Sequence, residues 1–321
     1  MQIFACPDCG GRLYFRNSVC GCGTAVMFDP ETHSMRLADR PCANRARIGC
    51  NWAAAGGGGL CRSCAMTQVV PDLDAGDNLD LWAETERAKR WMLANLGRWG
   101  WFGARDPGPR PVFRLLSEQT ARGAANVVMG HAAGVITINV AEAREPVRAE
   151  RRADLGELYR TMLGHMRHEM AHFLFTRLSG EAGFAEGFRA LFGDERDDYA
   201  AALARHYAAP RPAGPDHVTA YATAHPHEDW AETLAHLLHL TDLLDSAGAV
   251  GMSLPSADPS AAPDAYAEAD TAALVSRAVA VAIAVNHVNR ALDLPDLYPF
   301  VIGPGVGDKL AFIHRRLRRG G

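Results

Sequence analysis

The chain has 321 residues, of which 48% are apolar and 22% charged, and it carries a formal net charge of −4. This length can hold two domains, and the composition is that of an ordinary globular protein. The weak negative charge gives no general attraction to nucleic acid or to anionic membranes. The start, MQIFACPDCGG, lacks the basic and long apolar stretches of an export signal, and the apolar run 278–285 is too short to cross a bilayer. We therefore expect a cytoplasmic protein without a membrane partner.

All eight cysteines fall within the first 64 residues, which are also rich in glycine. In a reducing compartment, cysteine pairs at short spacing are typical of metal ligands. The first four predict one tetrahedral Zn²⁺ site: Cys6, Cys9, Cys20 and Cys22. The last four predict a second site: Cys42, Cys50, Cys61 and Cys64. Spacing alone leaves open a pairing in which the ligands of the two sites interleave.

Two roles are open for this Cys-rich segment. Zinc can simply hold together a segment that is too small to have its own core, which is the role we predict. Alternatively, the segment is a zinc ribbon that binds nucleic acid or a partner protein. Its arginines outnumber its acidic residues, but two Zn(Cys⁻)₄ centres would each add a net charge of −2 and offset that excess. A protein partner is therefore expected over nucleic acid.

A turn-like segment at 71–77 precedes an amphipathic stretch at 79–96, and we place a domain boundary near residue 70. The predicted domains are residues 1–70 and 71–321. Beyond the boundary, residues 134–140 alternate as in a β-strand. Four further helical patterns are predicted at 154–178, 195–207, 227–243 and 266–291, and a Pro- and Ser-rich loop at 247–264. The sequence thus predicts an α+β protein whose second domain is mostly helical with a small sheet.

The helical pattern around residue 170 contains His168-Glu169-Met170-Ala171-His172. On a helix, His168 and His172 lie one turn apart on the same face, so both imidazoles can bind one metal ion. Glu169 follows the first histidine and lies beside the metal, where it can act as a general base and then as a general acid. His165 lies on the same face and is a candidate fourth ligand.

A catalytic zinc needs a third protein ligand. Glu228 and Glu232 lie one turn apart at a predicted helix start, and one carboxylate can bind the metal while the other orients a ligand histidine. Acidic residues of an earlier segment are alternative ligands: Asp194, Glu195 and Asp197.

The motif HExxH followed by the helix residues Glu-Asp-Trp-Ala-Glu resembles the gluzincin arrangement of thermolysin-like and lethal-factor-like peptidases. That resemblance implies that Glu228 is the metal ligand and that Glu232 orients a ligand histidine. It also implies that Tyr221 stabilises the oxyanion, with His225 or His227 as a candidate helper.

A wider resemblance covers nearly the whole chain. The segments CPDCGG, CGCG, CRSC, GHMRHEMAHF and HPHEDWAETLAHLLH are similar to those of a bacterial family of zinc-binding metallopeptidases that carry an N-terminal zinc ribbon. This resemblance implies a zincin-like metallopeptidase domain behind the ribbon. In such folds, a strand placed like 134–140 either pairs with an extended peptide substrate or lies inside the sheet.

The sequence therefore predicts a zinc-dependent hydrolase, a peptidase acting on peptides or proteins, with one catalytic and two structural Zn²⁺ ions. A related alternative is an amidase or a deformylase-like hydrolase. A different alternative is a non-catalytic adaptor whose ribbon recruits a protein or nucleic-acid partner. A fourth protein ligand on the HExxH metal, such as His165, would favour the adaptor.

Overall fold

The computed structural model describes residues 1–56, 59–144, 161–252, 264–297 and 301–318. Helices and short sheets are mixed over these ranges, so the fold class is α+β, as the sequence predicts. The chain forms two compact units. The first contains the described residues up to 144 together with 161–166, and the second contains the described residues from 167 onward.

The Cys-rich segment forms two antiparallel hairpins and two short helices of the first unit. They are β1 (Ile3–Ala5), β2 (Arg12–Tyr14), β3 (Val26–Asp29), β4 (Ser34–Leu37), α1 (Arg45–Ile48) and α2 (Arg62–Ala65). All four residues of β3 are buried. The ring of Phe28 packs edge-on at 4.8 Å from Phe15 and lies tilted at 5.7 Å from Trp52. The segment thus has a small aromatic core of its own, in addition to its cysteines, which the sequence analysis did not predict.

Over the described residues 67–144, the first unit contains a four-stranded sheet, a two-stranded hairpin and one long helix. These elements are β5 (Thr67–Val69), α3 (Asn78–Arg98), β6 (Val112–Leu116), β7 (Gln119–Thr120), β8 (Gly123–Ala124), β9 (Gly130–Ala132) and β10 (Val135–Asn139). The sheet order is β5-β6-β10-β9, and β9 runs antiparallel to β10. The predicted strand β10 is therefore an internal strand, so it is not the edge that would pair with a peptide.

Helix α3 packs against α1 and α2 of the Cys-rich segment. The compact units consequently do not divide near residue 70. The division into domains at that residue, 1–70 and 71–321, stays a prediction.

The second unit is helical over its described residues. Its helices are α4 (Met162–Leu178), which begins in the first unit, α5 (Phe184–Phe192), α6 (Tyr199–Ala208), α7 (Pro226–Ala249), α8 (Thr271–Ala291) and α9 (Pro304–Leu317). Four of them match the predicted helical patterns. Residues 154–160 of the first pattern and 253–263 of the predicted loop lie outside the described residues.

An aromatic core joins α5, α7 and α9. The ring of Trp230 on α7 is fully buried and lies 5.4 Å from the ring of Phe184 and 6.5 Å from that of Phe312. Helices α5 and α9 approach closely at Gly187, where a Cβ atom would lie 2.6 Å from Phe312. The indole Nε1 of Trp230 also donates a hydrogen bond to the carbonyl of Ala171 on α4 at 2.8 Å. This bond ties α7 to the HExxH helix in a fixed register.

Helix α9 was not predicted, because the arginines near its end, at 315–319, suggest a frayed basic tail. Arg316 instead places its guanidinium over the ring of Phe312, 5.3 Å from the centroid. Lys309 of the same helix is buried and donates to the Asp229 carboxylate at 2.6 Å and to the Asp216 carbonyl at 2.5 Å. The helix therefore anchors both α7 and the segment that precedes it.

Helix α8 is long and apolar enough, by length and composition, to cross a membrane, although the apolar run 278–285 alone is too short. One such helix is weak evidence of a membrane protein, since the core helix of a soluble protein passes the same test. In the second unit α8 packs against α7.

Candidate metal centres

The two HExxH histidines face each other on α4. The Nε2 atoms of His168 and His172 are 3.1 Å apart, and the ring centroids are 4.8 Å apart. This is the arrangement expected when two histidines one helical turn apart turn the same ring nitrogen towards a common point.

Glu228 completes a triangle with these histidines from the first turn of α7. Its Oε2 atom lies 3.1 Å from His168 Nε2 and 3.5 Å from His172 Nε2, and the residue is 1% exposed. Ligand atoms at tetrahedral angles around Zn²⁺ are about 3.3 Å apart when each bond is about 2.0 Å. The spacing of the three atoms therefore fits a zinc ion.

Glu232 holds His168 from the other side of the imidazole. The Nδ1 atom of His168 donates to Glu232 Oε1 at 2.7 Å, and the hydroxyl of Thr219 donates to Glu232 Oε2 at 2.9 Å. Since a carboxylate only accepts hydrogen bonds, Nδ1 carries the proton and Nε2 keeps its lone pair for a metal.

The electrostatics of the cluster favour a positive charge between these groups. Burial lowers the pKa of His168, but its hydrogen bonds with Glu228 and Glu232 outweigh that effect and raise the pKa well above its usual value. Burial raises the pKa of Glu228, but the hydrogen bonds with His168 and His172 lower it by more. The pKa of Glu228 therefore lies well below its usual value. A divalent cation would satisfy the same preference.

Glu169 lies beside the triangle without belonging to it. The residue is 8% exposed, and its Oε2 atom is buried with no hydrogen-bond partner among the described residues. A buried carboxylate oxygen without a partner is costly in free energy. It therefore indicates a place where a water molecule or a substrate group would bind.

The ligand set contains three residues over the described ranges, with no fourth. His165, the candidate fourth ligand, has its Nε2 atom 3.2 Å from Glu142 Oε2 in the first unit. The alternative acidic ligands are also absent from the set. Arg196 pairs with Asp194, and Arg189 pairs with Glu195, on exposed surface.

Two tyrosines lie at the site. The ring of Tyr221, the predicted oxyanion donor, lies 6.0 Å from the ring of His168, and burial above all raises its pKa. Tyr199 was not predicted. Its hydroxyl donates to Glu228 Oε1 at 2.6 Å. In the sequence, nothing marks Tyr199 except its position next to the acidic segment 194–198.

The two histidines at the start of α7 differ in role. His225 caps the helix, because its Nδ1 accepts the backbone N–H of His227 at 3.0 Å. Its Nε2 lies 3.1 Å from the carbonyl of Asp197. The ring of His227 packs against Phe175 at 4.5 Å, and burial lowers its pKa to about 4, so it is neutral at pH 7.

The cysteines form two groups of four, each drawn from consecutive cysteines of the sequence, so the ligands do not interleave. The groups are Cys6, Cys9, Cys20, Cys22 and Cys42, Cys50, Cys61, Cys64. Sulfur atoms around a tetrahedral Zn²⁺ are about 3.8 Å apart. The Sγ atoms of Cys9 and Cys20 are 3.7 Å apart, and those of Cys50 and Cys61 are 3.6 Å apart. Both groups fit a Zn(Cys)₄ site.

Two cysteine sites and a His₂Glu group, carried on an α+β fold, define a zinc-binding protein. Residues 78–316 match the family described as "Putative zinc-binding metallo-peptidase", and residues 3–40 match a zinc-ribbon domain. The chain belongs to this metallopeptidase family.

Relatives of the chain occur in mycobacteria. Uncharacterized proteins of Mycobacterium tuberculosis and Mycobacterium bovis are 38% identical to it over 336 residues, covering 98% of this chain and 94% of theirs. No solved structure matches the chain.

Proposed function

We propose that the chain is a zinc-dependent hydrolase that cleaves peptide bonds. One observation carries this proposal: His168, His172 and Glu228 converge at zinc-ligand spacing, while a buried carboxylate oxygen of the neighbouring Glu169 has no hydrogen-bond partner in the described part of the chain. A structural zinc is closed by four protein ligands, whereas a catalytic zinc keeps one position open. The described residues supply three ligands, which favours the enzyme over the adaptor.

The chemistry follows from the residues around the triangle. When bound, Zn²⁺ would polarise the scissile carbonyl and lower the pKa of water towards about 7. Glu169 accepts a proton from water as the water oxygen adds to the carbonyl carbon. It then delivers that proton to the amide nitrogen as the C–N bond breaks, which gives a carboxylic acid and an amine. Tyr221 donates a hydrogen bond to the oxyanion that develops between these steps.

The remaining parts of the proposal concern substrate, partner and location. Peptides or proteins are the proposed substrates, and an amidase or deformylase-like activity would use the same residues on a different amide. The two cysteine sites are proposed to hold structural zinc and to present a surface for a protein partner. The eight cysteines fall into two groups at metal-ligand spacing, and cysteines used as metal ligands are typical of a reducing compartment such as the cytoplasm, which is the proposed location.

The test compares zinc content and peptide hydrolysis across three proteins. Wild type should hold three zinc ions per chain, one for each ligand group, and should cleave members of a fluorogenic peptide library. Glu169→Gln should keep all three zinc ions and lose turnover, because the amide cannot accept the proton. His168→Ala should hold two zinc ions and be inactive.

A matched control is Glu186→Gln, since Glu186 is exposed on α5. It should leave zinc content and turnover unchanged. Hydrolysis by Glu169→Gln at the wild-type rate would refute the general-base role. If the wild type holds three zinc ions but cleaves no peptide of the library, the proposed peptidase activity is refuted.

A further inference from the structure

Tyr199 contacts the carboxylate that completes the metal triangle. Its hydroxyl donates to Glu228 Oε1 at 2.6 Å, while Glu228 Oε2 faces the two histidines. The two oxygens of one carboxylate therefore point at different partners. A carboxylate oxygen only accepts hydrogen bonds, so the phenol of Tyr199 is the donor in this contact.

The position of Tyr199 is fixed by contacts that do not involve the metal ligands. Tyr199 is the first residue of α6, and Asp198 caps that helix by accepting the backbone N–H of Ala201 at 3.0 Å. The ring of Tyr199 packs edge-on at 5.1 Å from His225, the capping residue of α7. His225 also lies 3.1 Å from the carbonyl of Asp197, just before α6. The starts of α6 and α7 are therefore joined beside Glu228.

We propose that Tyr199 is a positioning residue that restricts Glu228 to binding Zn²⁺ through a single oxygen. This inference rests on the proposed function, because it concerns how that metal keeps a position open. Carboxylates bind metals through one oxygen or through both. Engaging Oε1 with a phenol leaves Oε2 as the metal-binding atom, so three protein ligands supply three donor atoms and the fourth position remains for water and the substrate carbonyl.

Removing the Tyr199 hydroxyl should change the coordination number of the metal ion bound by the His₂Glu group. In Tyr199→Phe, Glu228 Oε1 loses its donor and is free to turn towards the metal. Two-oxygen binding would then occupy the position that water and substrate need. The variant should keep its metal, yet lose turnover.

Cobalt substitution tests this directly. The zinc of the His₂Glu group is removed with a chelator, Co²⁺ is added, and the visible spectrum is recorded against His168→Ala treated in the same way. Subtracting that variant removes any signal from cobalt in the cysteine sites. Four-coordinate Co²⁺ absorbs strongly in the visible range, and five-coordinate Co²⁺ absorbs weakly. Wild type should show the strong band, and Tyr199→Phe should lose it while still binding one Co²⁺.

The control is Tyr14→Phe, because Tyr14 is exposed and lies in the Cys-rich segment. Its spectrum should match that of wild type. Identical spectra for wild type and Tyr199→Phe would overturn the proposal. A weak wild-type band would also overturn it. So would a Tyr199→Phe variant that binds less Co²⁺ with an unchanged band shape, because that result would indicate a purely structural role for Tyr199. The spectrum requires no turnover, so its outcome is separate from that of the peptidase test.

Discussion

His168 is held through both ring nitrogens. Glu232 accepts from Nδ1 at 2.7 Å, and Nε2 lies 3.1 Å from Glu228 on the metal side. Thr219 in turn holds the second oxygen of Glu232. The imidazole therefore has a fixed tautomer and a fixed direction before any metal binds, which lowers the conformational cost of metal binding.

Glu232→Gln should weaken the binding of zinc to the His₂Glu group. The amide keeps the shape of the side chain but loses the charge that increases the basicity of His168. Partners of this kind typically change metal affinity by about 10–100-fold. Competition with a chromophoric chelator measures the zinc affinity. Glu186→Gln is the control, because it removes the same charge from an exposed residue. Equal zinc affinity in Glu232→Gln and wild type would mean that Glu232 does not support His168.

At the residue scale, sequence analysis could find the groups that depend on local helical periodicity. His168 and His172 are four residues apart on one helix, and so are Glu228 and Glu232, so each pair is visible in the sequence alone. Thr219 and Tyr199 reach the same site from a loop and from another helix. Their contacts depend on tertiary packing, and no spacing in the chain predicts them.

At the scale of elements, the two cysteine sites differ in exposure. Cys9 and Cys22 of the first site are exposed, whereas all four cysteines of the second site are buried, with Cys50 and Cys61 at 0% exposure. Thiol reagents attack exposed thiolates more readily than buried ones. The first site should therefore exchange and lose its metal faster than the second.

This difference predicts two phases of zinc release. In the His168→Ala background, which removes the third zinc, a mercurial reagent should release one zinc quickly and the other slowly, as followed with a zinc-sensitive dye. Cys9→Ser should abolish the fast phase, and Cys64→Ser should abolish the slow phase. The reverse assignment, with the slow phase lost in Cys9→Ser, would contradict the order of lability inferred from burial.

Among the elements, the long periodic helices α3, α4, α7 and α8 were predictable because each repeats apolar residues at helical spacing. Helix α9 was not. Its arginines suggest a solvated tail, yet Arg316 lies over the ring of Phe312 and the stem of Lys309 passes into the core to reach Asp229. Long cationic side chains can cover apolar surface while keeping their charge paired. The sequence alone therefore does not show whether a segment rich in arginine and lysine is a solvated tail or a packed helix.

At the scale of the whole molecule, buried histidines link stability to pH. His314 on α9 is fully buried, and its Nδ1 lies 2.9 Å from the hydroxyl of Thr271 on α8. Burial lowers the pKa of His314 to about 4, compared with 6.5 for an ordinary histidine. Between these two values the unfolded chain binds a proton that the folded chain does not. The free energy of unfolding therefore falls as the pH decreases from 6.5 towards 4.

His314→Asn should reduce this acid sensitivity. Asparagine can keep a hydrogen bond to Thr271 but does not titrate, so the loss of unfolding free energy between pH 7 and pH 5 should be about 1–2 kcal/mol smaller than in wild type. Urea unfolding at each pH, with zinc held constant, measures the difference. His287→Asn, at an exposed histidine of α8, is the matched control and should follow wild type. Parallel curves for His314→Asn and wild type over this range would show that His314 takes up its proton equally in the folded and unfolded chains.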